Sequence, residues 1–261
     1  MTARMLSNLP SLGIALAFGA VIGSFLNVCI YRLPRGDSVV LPASACPRCR
    51  HELAWFENVP IVSWLVLRGR CRACRAPIGI RYPIVEVITA VMFASAWWAY
   101  GGTPALLASR IVFGCALIVL FAIDLEHHLL PNVITLPGIV AGFLFSLFTG
   151  PGWQSSLIGI LVGGGVLFGV AEAYYRVRHE EGLGMGDVKM LAMVGAFLGW
   201  KLTLMTLMMA SLCGSVIGLL LIVTRRGGLK YALPFGTFLA LGAAAAATVG
   251  PAVLDWYLGL L

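Results

Sequence analysis

Charge is what this chain has least of. Only 11% of its 261 residues are Asp, Glu, Lys or Arg, against about 25% in soluble domains. Acids are the scarcer sign, with 11 Asp and Glu against 18 Lys and Arg. Hydrophobic residues make up 60% and the mean hydropathy is +0.94. Together these exclude a soluble globular domain and point to an all-α protein that crosses a membrane several times. A small-residue cleavage site is also missing after the apolar run 12–31. That run is too long for the core of a secretory signal, so it is expected to be the first spanning helix. No strand followed by a glycine-rich dinucleotide turn occurs, since Gly163-Gly164-Gly165 lies inside an apolar segment. No internal repeat stands out.

The basic residues are unevenly placed. Nine of the 18 Lys and Arg fall between Arg32 and Arg81. Six more are Arg176, Arg178, Lys189, Arg225, Arg226 and Lys230. Positive charge concentrates on cytoplasmic loops, so these positions mark one side of the bilayer. Arg4, Arg110 and Lys201 fall near the other. Topology thus accounts for the net charge of +7 without a nucleic-acid partner. Eight spanning segments are expected, at residues 12–31, 84–100, 105–123, 133–148, 157–175, 188–200, 202–224 and 235–254. Both termini then lie outside the cytoplasm, against which Arg4 is a minor objection. The sixth and seventh segments need a break at Gly199-Trp200-Lys201. Thirteen residues of helix rise only about 20 Å, less than the roughly 30 Å hydrocarbon core, so the sixth is short or sits in a thinned region.

Residues 32–83 form the one sizeable extramembrane piece. They carry four of the seven cysteines, as Cys46-Pro47-Arg48-Cys49 and Cys71-Arg72-Ala73-Cys74. Two C-x-x-C knuckles about twenty residues apart read as a closed tetrahedral zinc site with a structural role. The reducing compartment implied by the basic loop disfavours disulfides. The metal would supply much of the loop's folding free energy. Trp55, Phe56, Ile61, Val62, Trp64 and Leu65 are expected to lie against the membrane surface. Cys29, Cys115 and Cys213 read as small buried hydrophobes. Asn27 inside the first segment is expected to make an interhelical hydrogen bond. Glu86 is a polar residue in a similar apolar setting.

Two carboxylates stand out. Asp187 sits on the glycine-rich turn Glu181-Gly182-Leu183-Gly184-Met185-Gly186, with Lys189 just beyond. Asp124 ends the third apolar segment, before Leu125-Glu126-His127-His128-Leu129-Leu130-Pro131-Asn132. They are 63 positions apart, yet the topology puts both at the cytoplasmic edge. A charge there is costly unless paired, hydrated or used. Two carboxyls within reach of each other share one proton, so one acts as acid and the other as base toward a water. Such a pair hydrolyses an amide without metal or covalent intermediate. Glu126, His127 and His128 are adjacent in sequence and do not converge on a metal.

Gly184-Met185-Gly186-Asp187 is the G-x-G-D pattern of membrane aspartic peptidases. Together with Asp124 through Asn132, it resembles the type IV prepilin peptidase family. So do Gly23-Ser24-Phe25-Leu26-Asn27 with Tyr31-Arg32-Leu33-Pro34, and Glu57-Asn58-Val59-Pro60 with Ser63-Trp64-Leu65. The cysteine pairs, Arg81-Tyr82-Pro83 with Glu86, and Pro234-Phe235-Gly236 extend the resemblance over nearly the whole chain. Thr237 stands where the pattern leads one to expect proline. The resemblance implies a bifunctional enzyme. It would cleave the leader of type IV prepilins or type II secretion pseudopilins, then methylate the new N-terminal amine with S-adenosylmethionine. It implies Asp124 and Asp187 as catalytic residues, Gly184, Gly186 and Lys189 as the supporting turn, and Cys46, Cys49, Cys71 and Cys74 as zinc ligands. It divides the chain into a first helix (1–31), a methylation-associated zinc loop (32–83) and a seven-helix peptidase domain (84–261). The expected seat is the bacterial inner membrane. The residues alone also admit a presenilin-like protease cutting inside the bilayer, or a transporter using the aspartates as proton relays. The methyl-donor site has no sequence signature; Asn27 and Glu86 are candidates by polarity alone.

Overall fold

The computed structural model describes residues 9–179, 184–224 and 233–259. Among them every named element is helical. Two are single 3-10 turns, Leu33–Arg35 and Trp55–Asn58. The α-helices, in chain order, are α1 (Leu9–Arg32), α2 (Val62–Val66), α3 (Arg81–Tyr100), α4 (Pro104–His127), α5 (Asn132–Ser146), α6 (Trp153–Arg178), α7 (Met185–Val223), α8 (Phe235–Thr248) and α9 (Gly250–Leu258). The expected segments fall on helical stretches, the last of them split between α8 and α9, and the break expected near Gly199 is present. It is a kink inside the long helix α7, where Gly199 takes φ 76°, ψ 169°. Only glycine adopts that conformation cheaply, and a Cβ there would also strike Pro151. Among the described residues, five helices are long and apolar enough to cross a membrane, or six if the bent pair α8–α9 counts as one span. That is fewer than eight because α5 has only 15 residues and α7 joins two expected segments in 39.

The chain forms two compact units, Met1–Ile111 and Val112–Leu261. In the first, α1 packs on α3 through Gly19 and Gly23. A Cβ at either would lie 2.7 Å from the Cα of Ala90 or Glu86 respectively. This is a small-x-x-x-small contact of the kind that brings helix backbones together in lipid. Asn27 Nδ2 donates to the Tyr82 carbonyl at 3.0 Å, the interhelical bond expected of it. Glu86 is buried and accepts from the Ile61 backbone N–H at 2.7 Å. It therefore pins the start of α2 to α3, where Ile61 is held at φ 63°.

In the second unit, the first half of α7 is the hub. Residues 190–199 are all buried, as suits a helix apolar on every face. Met190, Leu191, Met193, Val194 and Phe197 meet Phe113, Leu120 and Leu239 in the core. Gly159 and Gly163 of α6 face the backbone of Gly195 and Leu191 so closely that a Cβ would collide with carbonyl oxygens. Of the glycine run at 163–165, only Gly163 makes such an approach; Gly165 faces open space. Elsewhere the helices expose apolar side chains, including Ile14, Phe18, Val91, Val140, Leu161 and Leu219. That is the surface of a protein solvated by lipid. Cys213 lies on it, beside exposed Leu212 and Val216, and is not the buried residue expected. Cys29 is buried and Cys115 partly so.

Candidate active site and metal centre

Each cysteine pair lies in a short hairpin. Cys46 N–H donates to the His51 carbonyl at 2.9 Å and Arg50 N–H to the Cys46 carbonyl at 2.9 Å. Cys71 N–H donates to the Ala76 carbonyl at 2.8 Å and Arg75 N–H to the Cys71 carbonyl at 3.0 Å. Isolated bridges Ala45–Glu52 and Arg70–Pro77 close the two turns. Arg50 and Arg75 both sit at positive φ, 58° and 60°. The second hairpin thus repeats the first at an offset of 25 residues, a repeat that the sequence reading missed. Its visible trace is C-x-x-C-R in both copies.

The four sulfur atoms lie within 4.8 Å of one another. Cys46–Cys74 and Cys49–Cys71 are each 3.9 Å apart. A tetrahedral ion with zinc–sulfur bonds of about 2.3 Å places its sulfurs about 3.8 Å apart, so the donor set fits zinc. The Cys49 backbone N–H leads in pulling the Cys46 thiol down to about 6. Cys49 goes the other way, to about 12: the His51 amide pulls it down, but desolvation and the other three thiols outweigh that. Such a cluster gives up its protons to a bound cation. Glu57 ties the hairpins together. Its Oε2 accepts from Ala54 N–H at 2.9 Å and pairs with His51 Nε2 at 3.2 Å, while Arg72 Nη1 lies 4.0 Å from Oε1. The Ala54 amide first, then His51 and Arg72, hold its carboxyl below the usual range. Trp55, Phe56, Val62 and Leu65 are exposed on the same loop. Among the described residues these four cysteines are the only group of three or more metal-type ligands; His127 Nε2 instead lies 4.0 Å from Glu126 Oε2.

The acidic site lies wholly in the second unit and is built from three helix ends. Asp124 is in the last turn of α4, Asp187 in the first turn of α7, and Thr237 in the first turn of α8. Asp124 and Asp187 are 5% and 9% exposed. Leu130, from the loop after Asp124, wedges between two glycines. A Cβ on Gly186 would lie 2.9 Å from Leu130 Cβ, and one on Gly236 would lie 2.9 Å from Leu130 Cδ1. The Gly236 Cβ would also come within 3.0 Å of the Asp124 carboxyl carbon. Gly184 caps α7, and a Cβ there would touch Asp187 Oδ2 at 3.5 Å. Lys189 Nζ donates to Asn132 Oδ1 at 2.9 Å, tying the glycine turn to the Asp124 loop from outside. Glu181, Gly182 and Leu183 of the expected motif lie outside the described residues, as do Glu180, Arg4, Arg225, Arg226 and Lys230. Sequence reasoning missed Thr237 as part of this site. Its backbone N–H donates to Asp124 Oδ2 at 2.6 Å and its hydroxyl to the same oxygen at 3.0 Å. The available signal was its place directly after Pro234-Phe235-Gly236.

Residues 111–219 match the family model described as type IV leader peptidase family. The chain belongs to that family. Residues 17–100 match the bacterial peptidase A24 N-terminal domain, so the leader-peptidase resemblance covers both units. Several relatives share the name "Prepilin leader peptidase/N-methyltransferase". One from Myxococcus xanthus is 42% identical over 212 residues, covering 80% of this chain and 63% of the relative. One from Aeromonas hydrophila is 37% identical over 273 residues, covering 92% and 91%. One from Pseudomonas aeruginosa is 35% identical over 266 residues, also covering 92% and 91%. The chain thus spans less than two thirds of the first relative's length and nearly all of the other two. No solved structure matches it.

Proposed function

We propose that this leader peptidase relative is a membrane aspartic endopeptidase and an N-methyltransferase. It removes the leader of type IV prepilins or type II secretion pseudopilins at the cytoplasmic face of the bacterial inner membrane. It then methylates the new N-terminal amine, with S-adenosylmethionine supplying the methyl group. Asp124 and Asp187 form the catalytic pair. One carboxylate takes a proton from water as the water oxygen bonds to the scissile carbonyl carbon. The other carboxylic acid gives its proton to the reacting amide, and the amine leaves as the carbon–nitrogen bond breaks. The pair titrates as a unit. Gly184, Gly186 and Lys189 keep the turn tight enough for the acids to meet.

The observation that carries this reading is the burial of both acids in one site closed by Leu130 between Gly186 and Gly236. Cys46, Cys49, Cys71 and Cys74 would hold one structural zinc ion with no open position for chemistry. Loop 32–83 serves methylation and the helices of 84–261 serve cleavage, with both termini on the periplasmic side. The substrate leader is basic, so Glu126, with Glu180 and Glu181, attracts it against the surrounding arginines. A presenilin-like cut within the bilayer and a proton-relay transporter are not favoured by family membership. Purified protein given a prepilin peptide and labelled S-adenosylmethionine tests the reading. Wild-type protein is expected to yield a cut at the cytosolic edge and a labelled product. Cleavage that survives Asp124→Asn or Asp187→Asn, or a cut mapped to mid-membrane, would refute it.

A further inference from the structure

The two acids are not held alike. Both hydrogen bonds to Asp124 end on one oxygen, Oδ2, and both come from Thr237. The Thr237 N–H is one of the first-turn donors of α8, which have no acceptor within their own helix. Pro234 caps that helix and offers no side-chain acceptor. Asp124 fills the gap from across the unit, so the helix end and the acid satisfy each other. Gly236 makes the approach feasible, because a Cβ there would press on the carboxyl group. Asp187, by contrast, has no hydrogen-bond donor on its carboxyl among the described residues.

Resting on the dyad reading above, we infer that Thr237 is a positioning residue that makes Asp124 the base of the pair and Oδ1 its working oxygen. With both donors on Oδ2, the proton taken from water goes to Oδ1, while the acid that gives its proton to the substrate is Asp187. One O–H bond of water breaks toward Oδ1 as the water oxygen bonds to the carbonyl carbon. Asp187 loses its proton to the departing side of the amide. The double anchor also fixes the Asp124 side-chain rotamer, so Oδ1 stays aimed when water enters. A proline at 237 would supply neither donor, so this anchoring is a property of the present residue.

Three variants test this in purified, lipid-reconstituted full-length protein. Thr237→Ser keeps both donors. Thr237→Val keeps the N–H and removes the hydroxyl. Thr237→Pro removes both, at a first-turn position where proline does not break a helix. The readouts are kcat and KM for prepilin cleavage, with methylation of a pre-cleaved pilin peptide as a measure of intact folding. The expected order of kcat is wild type, Ser within about twofold, Val about tenfold down and Pro lower still. KM and methylation stay within about twofold of wild type. Val or Pro at the wild-type kcat overturns the inference. So does a loss that Ser shares, or a loss carried by KM. If Asp124→Asn itself cleaves normally, the dyad reading fails, which is distinguishable from loss of the Thr237 role alone.

Discussion

The two sites gather distant residues by opposite means. At the metal centre the convergence is nearly local. Each hairpin closes on itself with its own backbone hydrogen bonds, and the repeat at 25 residues needs only two copies brought together. An ion bound by four thiolates would supply that last step. At the acidic site nothing local points one aspartate at the other. Three helix ends meet there because glycines and Leu130 let the backbones close up. A metal-clasped site is insensitive to small packing errors and sensitive to loss of its ion. A site assembled by packing has the reverse weakness, since a displacement of about 1 Å can cost about a hundredfold in rate.

That contrast can be broken in order of severity. Asp124→Asn or Asp187→Asn removes a proton-transfer group, and leader cleavage should fall by about 10²–10⁴-fold. Methylation of a pre-cleaved peptide, measured with labelled donor, should persist. Cys71→Ser, or a strong chelator, should release zinc, read as metal content per protein. Methylation should fall by at least about tenfold and cleavage by much less, because binding of a structural ion is worth about 10–16 kcal/mol to the fold that depends on it. Equal loss of both activities would mean that the hairpins support the acidic site as well. Gly236→Ala places a methyl group against the Asp124 carboxyl and Leu130. It should lower cleavage kcat by about ten- to a hundredfold without changing zinc content. Smaller effects sharpen the comparison. Lys189→Met removes one exposed hydrogen bond to Asn132 and should cost cleavage no more than about tenfold. Glu57→Gln should weaken zinc retention against a competing chelator by up to about tenfold while leaving cleavage intact.

Much of this was legible beforehand. The apolar runs marked the helices, since a backbone in lipid has to satisfy its own hydrogen bonds. The C-x-x-C spacing marked the four cysteines that the structure gathers into one cluster, since a knuckle's geometry is set within four residues. The break at Gly199 was legible because two basic stretches had to lie on one side. Other features were not. Gly19 read as an ordinary residue of an apolar segment, and Gly23 as part of a family pattern without a stated contact, until α3 lay against them. Glu86 read only as a polar residue in an apolar setting, and its hydrogen bond from the Ile61 N–H was not legible. The knuckle repeat was hidden because only Cys and Arg recur while backbone shape is what repeats.

Composition, charge placement and short spacings pointed to a protein that crosses a membrane, to one basic loop, and to four cysteines and two aspartates as the candidate site residues. Those properties depend on residues within a few positions of each other or on totals over a segment. Tertiary structure alone decided that Asp124 meets Thr237, 113 residues away, and that Leu130 sits between Gly186 and Gly236. Contacts between helix ends depend on how helices pack, and packing is a property of pairs of surfaces that no single stretch of chain contains.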